Sequence, residues 1–251
     1  MLYDTFLFFN ELDLLEIRLN VLAPLVDRFV LVAATQDHSG RDKPLYYGDN
    51  RERFAAFSDR IEHVVVDEFP RGKDRWVREN HQRRAIMQGL RTCTGNDLVL
   101  ISDVDEIPNP RAVARHLHCS ADALLFFEQR YHCYFLNCQR DGSKWLGTAM
   151  TRYRNLDDLQ RIRDLRTKPI TWWRGLVGPK VKHVPDGGWH FTFMGGIDAI
   201  VKKIEAFAHS EFDLEEFKSP ERIREKMNDC LDLFVEEDGP SYRVVAMDDS
   251  Y

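Results

Sequence analysis

The residues best placed to do chemistry are Asp103 and Asp105, which close the apolar run Leu98-Val99-Leu100-Ile101. If that run is a β-strand, an i, i+2 spacing sends both carboxylates to one side while Val104 turns toward the core. Paired carboxylates at the C-terminal end of a buried strand stand where open α/β sheets bind ligands. Hard oxygen donors of this kind suit Mg²⁺ or Mn²⁺, ions that keep coordination positions open for phosphate oxygens. The chemistry implied is a divalent cation holding a diphosphate; the bland alternative is a pair of solvated turn residues. Context favours the first. Pro108 is expected to stop the strand, and Asn109-Pro110 supplies an N-cap and an N1 proline for a helix to about Leu117.

Such a strand needs a sheet around it, and the residues before it alternate as a βαβ series does. Tyr3 to Phe9 reads as a strand, and Leu12, Leu15, Leu19 and Leu22 recur at helical spacing until Pro24. Asp27 to Ala34 is a second strand, almost free of polar residues, as expected of one covered on both faces. A short helix over Glu52 to Phe57, a strand over Ile61 to Val66 and a helix from Asp74 to about Leu90 complete this part. Beyond the acidic pair the pattern changes. Ala123 to Phe127, Tyr131 to Leu136 and Trp145 to Tyr153 read as strands of a mixed or antiparallel extension, with a turn at Asp141-Gly142. Helices follow over Leu156 to Leu165, Ile197 to Ala208 and Pro220 to Phe234, the last capped by Ser219, and the tail from Glu236 is expected to fray.

The chain has 251 residues, 43% of them hydrophobic, enough for one large α/β domain. A net charge of -6 argues against a nucleic-acid binder, although 35 Lys and Arg leave room for local basic patches. No apolar run approaches a membrane span, and the N-terminus lacks the pattern of a signal peptide, so a soluble, cytoplasmic protein is expected. The five cysteines are odd in number and include no C-x-x-C pair, which points to reduced thiols, with a Cys133 to Cys138 bridge as the alternative.

Several fragments in order carry a resemblance: Phe8-Phe9-Asn10-Glu11-Leu12-Asp13-Leu14-Leu15-Glu16-Ile17-Arg18-Leu19, Trp76-x-Arg78-Glu79, Gln82-Arg83, Asp103-Val104-Asp105-Glu106-Ile107-Pro108, Gly188-Trp189-His190-Phe191 and His209-x-Glu211. Together they resemble glycosyltransferase family 17, and most of all its short bacterial and viral-type members. The resemblance implies an α/β, GT-A-like single domain over residues 1–251. Its Rossmann-like half, 1–118, would have a mainly parallel sheet and hold nucleotide-sugar and metal; an acceptor-side half, 119–251, would have a mixed sheet and C-terminal helices. It also implies a UDP-sugar donor, UDP-N-acetylglucosamine, inversion at the anomeric carbon, a glycan or saccharide acceptor, and Mn²⁺ or Mg²⁺ bridging Asp103 and Asp105 to the donor diphosphate. Many members carry a carboxylate near the end of the second strand. This chain has Ala33-Ala34 there, which bears on nucleotide selectivity.

The chemistry asks for further parts. Cations to neutralise a leaving diphosphate are available in Arg78, Arg83 and Arg84 and in Lys180 and Lys182, the latter two in a segment that reads as a loop. Gly187-Gly188 would let the backbone approach a ligand, Trp189 offers a face to a sugar or base, and His190 is a third candidate metal ligand. An inverting reaction needs a base for the acceptor hydroxyl; Asp186 and Glu211 are the candidates, Glu211 preferred because its pair with His209 belongs to the resemblance. Asn10 and Glu11 open the first helix where a doubly wound sheet meets its nucleotide, and Glu79 with Trp76 either lines the donor pocket or packs. Of Tyr131, Trp145, Trp172 and Trp173, one or two at most would touch an acceptor.

Two competing readings remain. A haloacid-dehalogenase-type phosphohydrolase also places Asp-x-Asp after an apolar strand, but near its chain start, whereas about a hundred residues precede it here. A non-catalytic nucleotide-sugar or carbohydrate-binding protein on the same fold is supported by Ala33-Ala34 and opposed by the intact acidic pair and Gly-Trp-His.

Overall fold

The computed structural model describes residues 1–72, 74–120, 123–142, 144–166, 180–235 and 240–246. Its frame is a sheet begun by β1 (Leu2–Leu7), β2 (Arg28–Ala34), β3 (Ile61–Val66) and β4 (Leu98–Asp103). These run parallel in the order β4-β1-β2-β3. Helix α1 (Leu12–Leu22) crosses from β1 to β2 and buries Leu15, Leu19 and Leu22 completely. Arg18 lies on the same stripe with 0% exposure, because Asp4 of β1 meets it as a bidentate partner at 2.6 and 2.8 Å. Between β2 and β3 come α2 (Tyr46–Asp49) and a 3-10 segment, Arg51–Phe57. Asp74 caps α3 (Arg75–Arg84) by accepting from Trp76 N at 2.9 Å, and after Ala85 the expected long helix continues as a separate turn, α4 (Ile86–Gly89).

The acidic pair departs from the extended geometry expected of it. The chain turns at Val104-Asp105, where Val104 N donates to Leu7 O at 3.1 Å. It then resumes as a short strand, β5 (Glu106–Pro108), so Pro108 closes a second strand instead of stopping the first. Asn109 caps α5 (Pro110–Arg115) as its sequence suggests, Oδ1 accepting from Arg111 N at 2.9 Å.

The remaining strands extend the sheet in mixed sense. β6 (Ala123–Cys133) is one continuous strand where two were expected: its polar middle is accommodated by an irregularity at Phe126 to Glu128 and by burial of Gln129, which donates to Thr148 Oγ1 at 3.1 Å. β7 (Cys138–Arg140) and β8 (Trp145–Arg152) flank it, and β8 joins the extension to β4 antiparallel. After α6 (Leu159–Asp164), residues 180–192 form β9 (Lys180–Thr192), parallel to β6 and antiparallel to β5. The segment read from sequence as a loop is thus a thirteen-residue strand. Pro185, Asp186 and Gly187 disguised it: they form a bulge in which Val184 and Gly188 face Phe127 and Gln129, and Asp186 takes φ 49°. Helices α7 (Ile197–Ala206), α8 (Glu215–Lys218) and α9 (Pro220–Asn228) and the strand β10 (Tyr242–Val244) complete the order β10-β7-β6-β8-β4-β1-β2-β3. The expected layout, a parallel Rossmann-like half and a mixed half within one α/β domain, is present, and one sheet runs through both.

Cys138 at the start of β7 is bonded to Cys230 just after α9, with Cα atoms 5.9 Å apart. This corrects both cysteine expectations. The partner comes from 92 residues away, a proximity created by folding that local spacing does not reveal. Trp172, Trp173 and the tail residues Asp248 to Tyr251 lie outside the described residues.

Candidate active site

The C-terminal ends of β1, β2 and β4 open on a cavity of about 370 Å³, roofed by residues of α7 and the segment after it. At its floor the acidic turn is held from beneath. The Arg18 guanidinium, buried behind the sheet, donates to the carbonyls of Asp103, Val104 and Glu106 at 3.1, 3.3 and 2.9 Å and to Ser102 Oγ at 2.6 Å. One side chain thus meets three carbonyls of the turn, and the fourth, Asp105 O, accepts from Phe191 N at 2.8 Å.

Above that support the carboxylates separate. Asp103 accepts from Arg83 at 2.9 Å with one oxygen and from Arg163 at 2.6 Å with the other. Burial alone would raise its pKa; Arg163 and then Arg83 more than reverse this and hold it well below the ordinary carboxylate range. Glu106 is fully buried. Its Oε1 accepts from Trp145 Nε1 at 2.8 Å, its Oε2 from Asp103 N at 2.9 Å, and Arg163 pairs with it as well. Arg166 stands 3.5 Å from Glu106 Oε1 and over the Trp145 ring. Asp105 turns the other way. Its Oδ2 accepts from Lys203 Nζ of α7 at 2.7 Å, and its Oδ1 faces His190 Nδ1 at 3.7 Å. Lys203 is also 4.0 Å from Glu11, and these two acids overcome the lowering effect of burial to raise its pKa.

A divalent cation can be tested against this arrangement. Among the described residues no three His, Cys, Asp or Glu side chains gather as a ligand group, so Asp103, Asp105 and His190 do not form one cage. Both Asp103 oxygens are engaged by arginine. Asp105 and His190 do fit: the His190 ring is stacked on Trp145 at 4.7 Å, its Nδ1 is buried without a hydrogen-bond partner, and burial lowers its pKa against the opposing pull of Asp105. A neutral imidazole beside a carboxylate, with the remaining positions left to water and phosphate oxygens, is a donor set for Mn²⁺ or Mg²⁺.

The other residues singled out from sequence divide. Glu11, Glu79 and Trp76 line the cavity. Glu11 also accepts from the backbone N–H of Phe9 and Asn10, and Glu79 accepts from Arg83 at 2.6 Å. Arg83 acts through Asp103. Asn10 and Arg78 stand off the lining, Arg78 donating to the lining residue Gln36 at 2.8 Å. Lys182 is exposed on β9, and Trp189 alternates away from His190 to pack against Leu14, Ile107 and Phe191. Gly187 and Gly188 are packed closely against neighbouring strands: a Cβ on Gly188 would lie 2.2 Å from Ile107 O, and one on Gly187 2.6 Å from Glu128 N. Neither Asp186 nor Glu211 lines the cavity. Glu211, however, accepts from His209 Nδ1 at 2.7 Å, and His209 does line it, edge-on to Trp76 at 4.7 Å.

Sequence reasoning missed Glu106, Arg18, Arg163, Arg166, Lys203 and Lys43. An arginine on the leucine stripe of the first helix, opposite an aspartate inside an apolar strand, was the available signal for Arg18. The end of the second strand is also less bare than Ala33-Ala34 suggests, because Asp37, three residues on, lines the cavity and is tied by Ser39 and Arg41.

Human and rat β-1,4-mannosyl-glycoprotein 4-β-N-acetylglucosaminyltransferases are each 30% identical to this chain over 107 residues, 39% of the chain and 20% of their own length. Among solved structures, a mannosyltransferase from Pyrobaculum calidifontis in complex with GDP-mannose and Mn²⁺ aligns with 90% of this chain and 69% of its own, at 15% identity and a TM-score of 0.45. A Francisella tularensis 2-C-methyl-D-erythritol 4-phosphate cytidylyltransferase covers 74% and 90%, at 11% identity and a TM-score of 0.40. The sequence profile of glycosyltransferase family 17 matches residues 1–238, nearly the whole length, and the chain belongs to that family.

Proposed function

We propose that this glycosyltransferase moves N-acetylglucosamine from UDP-N-acetylglucosamine to a hydroxyl of a glycan or saccharide acceptor, with inversion and with Mn²⁺ or Mg²⁺ as cofactor. The donor sugar follows the activity named for the mammalian relatives. One observation carries the reading: the Asp103 to Glu106 turn opens on a cavity in which Arg163, Arg166 and Lys203 converge.

In this reading the donor diphosphate lies over the turn, and those three cations offset the charge that grows on it as the sugar–phosphate bond breaks. A divalent ion, when bound by Asp105 and His190, supplies Lewis acidity toward the same diphosphate. Asp103, fixed between two arginines, keeps Arg163 aimed at the cavity. His209 takes the acceptor hydroxyl proton on its free ring nitrogen, and Glu211 orients the ring, so the preferred base residue acts one side chain removed. Asp186, on the β9 bulge, is left with a backbone role: its carbonyl accepts from Asn109 Nδ2 at 3.2 Å.

The test is a panel of UDP- and GDP-sugars with Mn²⁺, read as sugar-nucleotide consumption. UDP-N-acetylglucosamine is expected to be consumed, and Asp103→Ala and Asp105→Ala each to lower the rate by more than about tenfold, or roughly 1.4 kcal/mol. Turnover by either variant at the wild-type rate, or no turnover of any nucleotide sugar across a broad acceptor screen, overturns the reading.

A further inference from the structure

Lys43 closes the loop that follows β2, its backbone N–H donating to Thr35 O at 2.9 Å. Its side chain lines the same cavity. The ammonium lies 5.4 Å from the Phe9 ring centroid and 5.8 Å from that of Tyr46, beside two rings that meet edge-on at 6.2 Å. Among the described residues Nζ is buried and meets no hydrogen-bond partner. Its neighbours do not balance it: burial brings the group down to about 8 despite the favourable charges of Glu11 and Asp37, and Lys202 adds a repulsion. Every other lysine or arginine that lines the cavity has an acid within hydrogen-bonding or ion-pairing reach: Arg163 on Asp103, Arg166 on Glu106, Lys203 on Asp105. A desolvated ammonium with three donors and no acceptor is expensive to hold unless a ligand completes it. Its place beside Phe9 and Glu11, at the ends of β1 and β2, is the crevice where a doubly wound sheet receives a nucleotide.

We propose that Lys43 is a donor-binding residue that pairs with a phosphate of the nucleoside diphosphate, completing from the β2 side a cradle whose other wall is Lys203. The assignment rests on the transferase reading above and adds to it a phosphate contact from the loop that follows β2.

Calorimetry on the full chain with UDP and with uridine, both in Mn²⁺, tests it. Lys43→Met is expected to weaken UDP by about tenfold or more while leaving uridine within about twofold, and Lys43→Arg to keep most of the UDP affinity. Thermal melting of Lys43→Met is expected to match or exceed that of the wild type, since the substitution removes a desolvated charge, and this separates lost binding from lost folding. A Lys43→Met protein that binds UDP as the wild type does overturns the role of Lys43 and leaves the transferase reading standing. Equal losses for UDP and uridine also overturn it, by placing Lys43 against the base. A wild-type protein that binds no nucleoside diphosphate overturns both.

Discussion

Asp103 and Asp105 are two residues apart yet keep different electrostatic company, arginine for one and lysine with imidazole for the other. The spacing identified the pair but not the division, because Arg163 and Lys203 arrive from 60 and 98 residues downstream. His190, singled out by its Gly-Trp-His setting, lines the cavity, while nothing local in the sequence distinguishes Arg163, Lys203 and Lys43 from ordinary surface cations. The pair formed by His209 and Glu211 gives a prediction at this scale. His209→Ala is expected to lower kcat by about a hundredfold or more with little change in donor KM, and Glu211→Gln to lower it less and to alter the limb of the pH profile that reports the base. The hydrogen bond from His209 is the largest influence on Glu211 and holds its carboxyl below the usual range, so this acid remains ionised when the imidazole needs orienting. Unchanged kcat in both variants, measured at saturating donor, would remove the pair from the proton transfer.

The elements that obey a simple period were read well. Leu12–Leu22, Ile61–Val66 and the Asn109-Pro110 helix start appear where apolar spacing and capping chemistry put them. β9 was missed because Pro, Asp and a pair of glycines interrupt it, and only the facing strands explain why: β5 and β6 approach so closely that side chains at 187 and 188 have no room. Helix α1 carries the stronger lesson. Its Arg18 is buried with Asp4 in the sheet and supports the acidic turn, so a position that pattern alone would assign to Leu is held by a charge. Arg18→Met strands Asp4 and is expected to lower the unfolding free energy by about 3–5 kcal/mol, with the double variant Arg18→Met, Asp4→Asn recovering part of it. Urea melts of the three proteins check this, and a loss below about 1 kcal/mol for the single variant would contradict it.

At the scale of the whole molecule, the Cys138–Cys230 bond fastens β7, next to the edge strand β10, to the end of α9 around a core that includes Ile200, Ile204 and Ile223. With 92 residues between its ends, the chain-entropy account gives it about 4–5 kcal/mol. Reduction is therefore expected to lower Tm by about 10 °C or more, and Cys138→Ala to reproduce the loss, as scanning calorimetry with and without reductant will show. A Tm indifferent to both would mean the bond adds nothing. Among the described residues no helix is long and apolar enough to cross a membrane.

The acidic turn is also the corner at which the chain passes from the parallel wing of the sheet into the mixed one: β4 pairs with β1, and β5, three residues later, pairs with β9. Asp103 thus closes a strand of one wing while Asp105 stands one residue before a strand of the other, and the gap between the two acids is set by how those pairings meet.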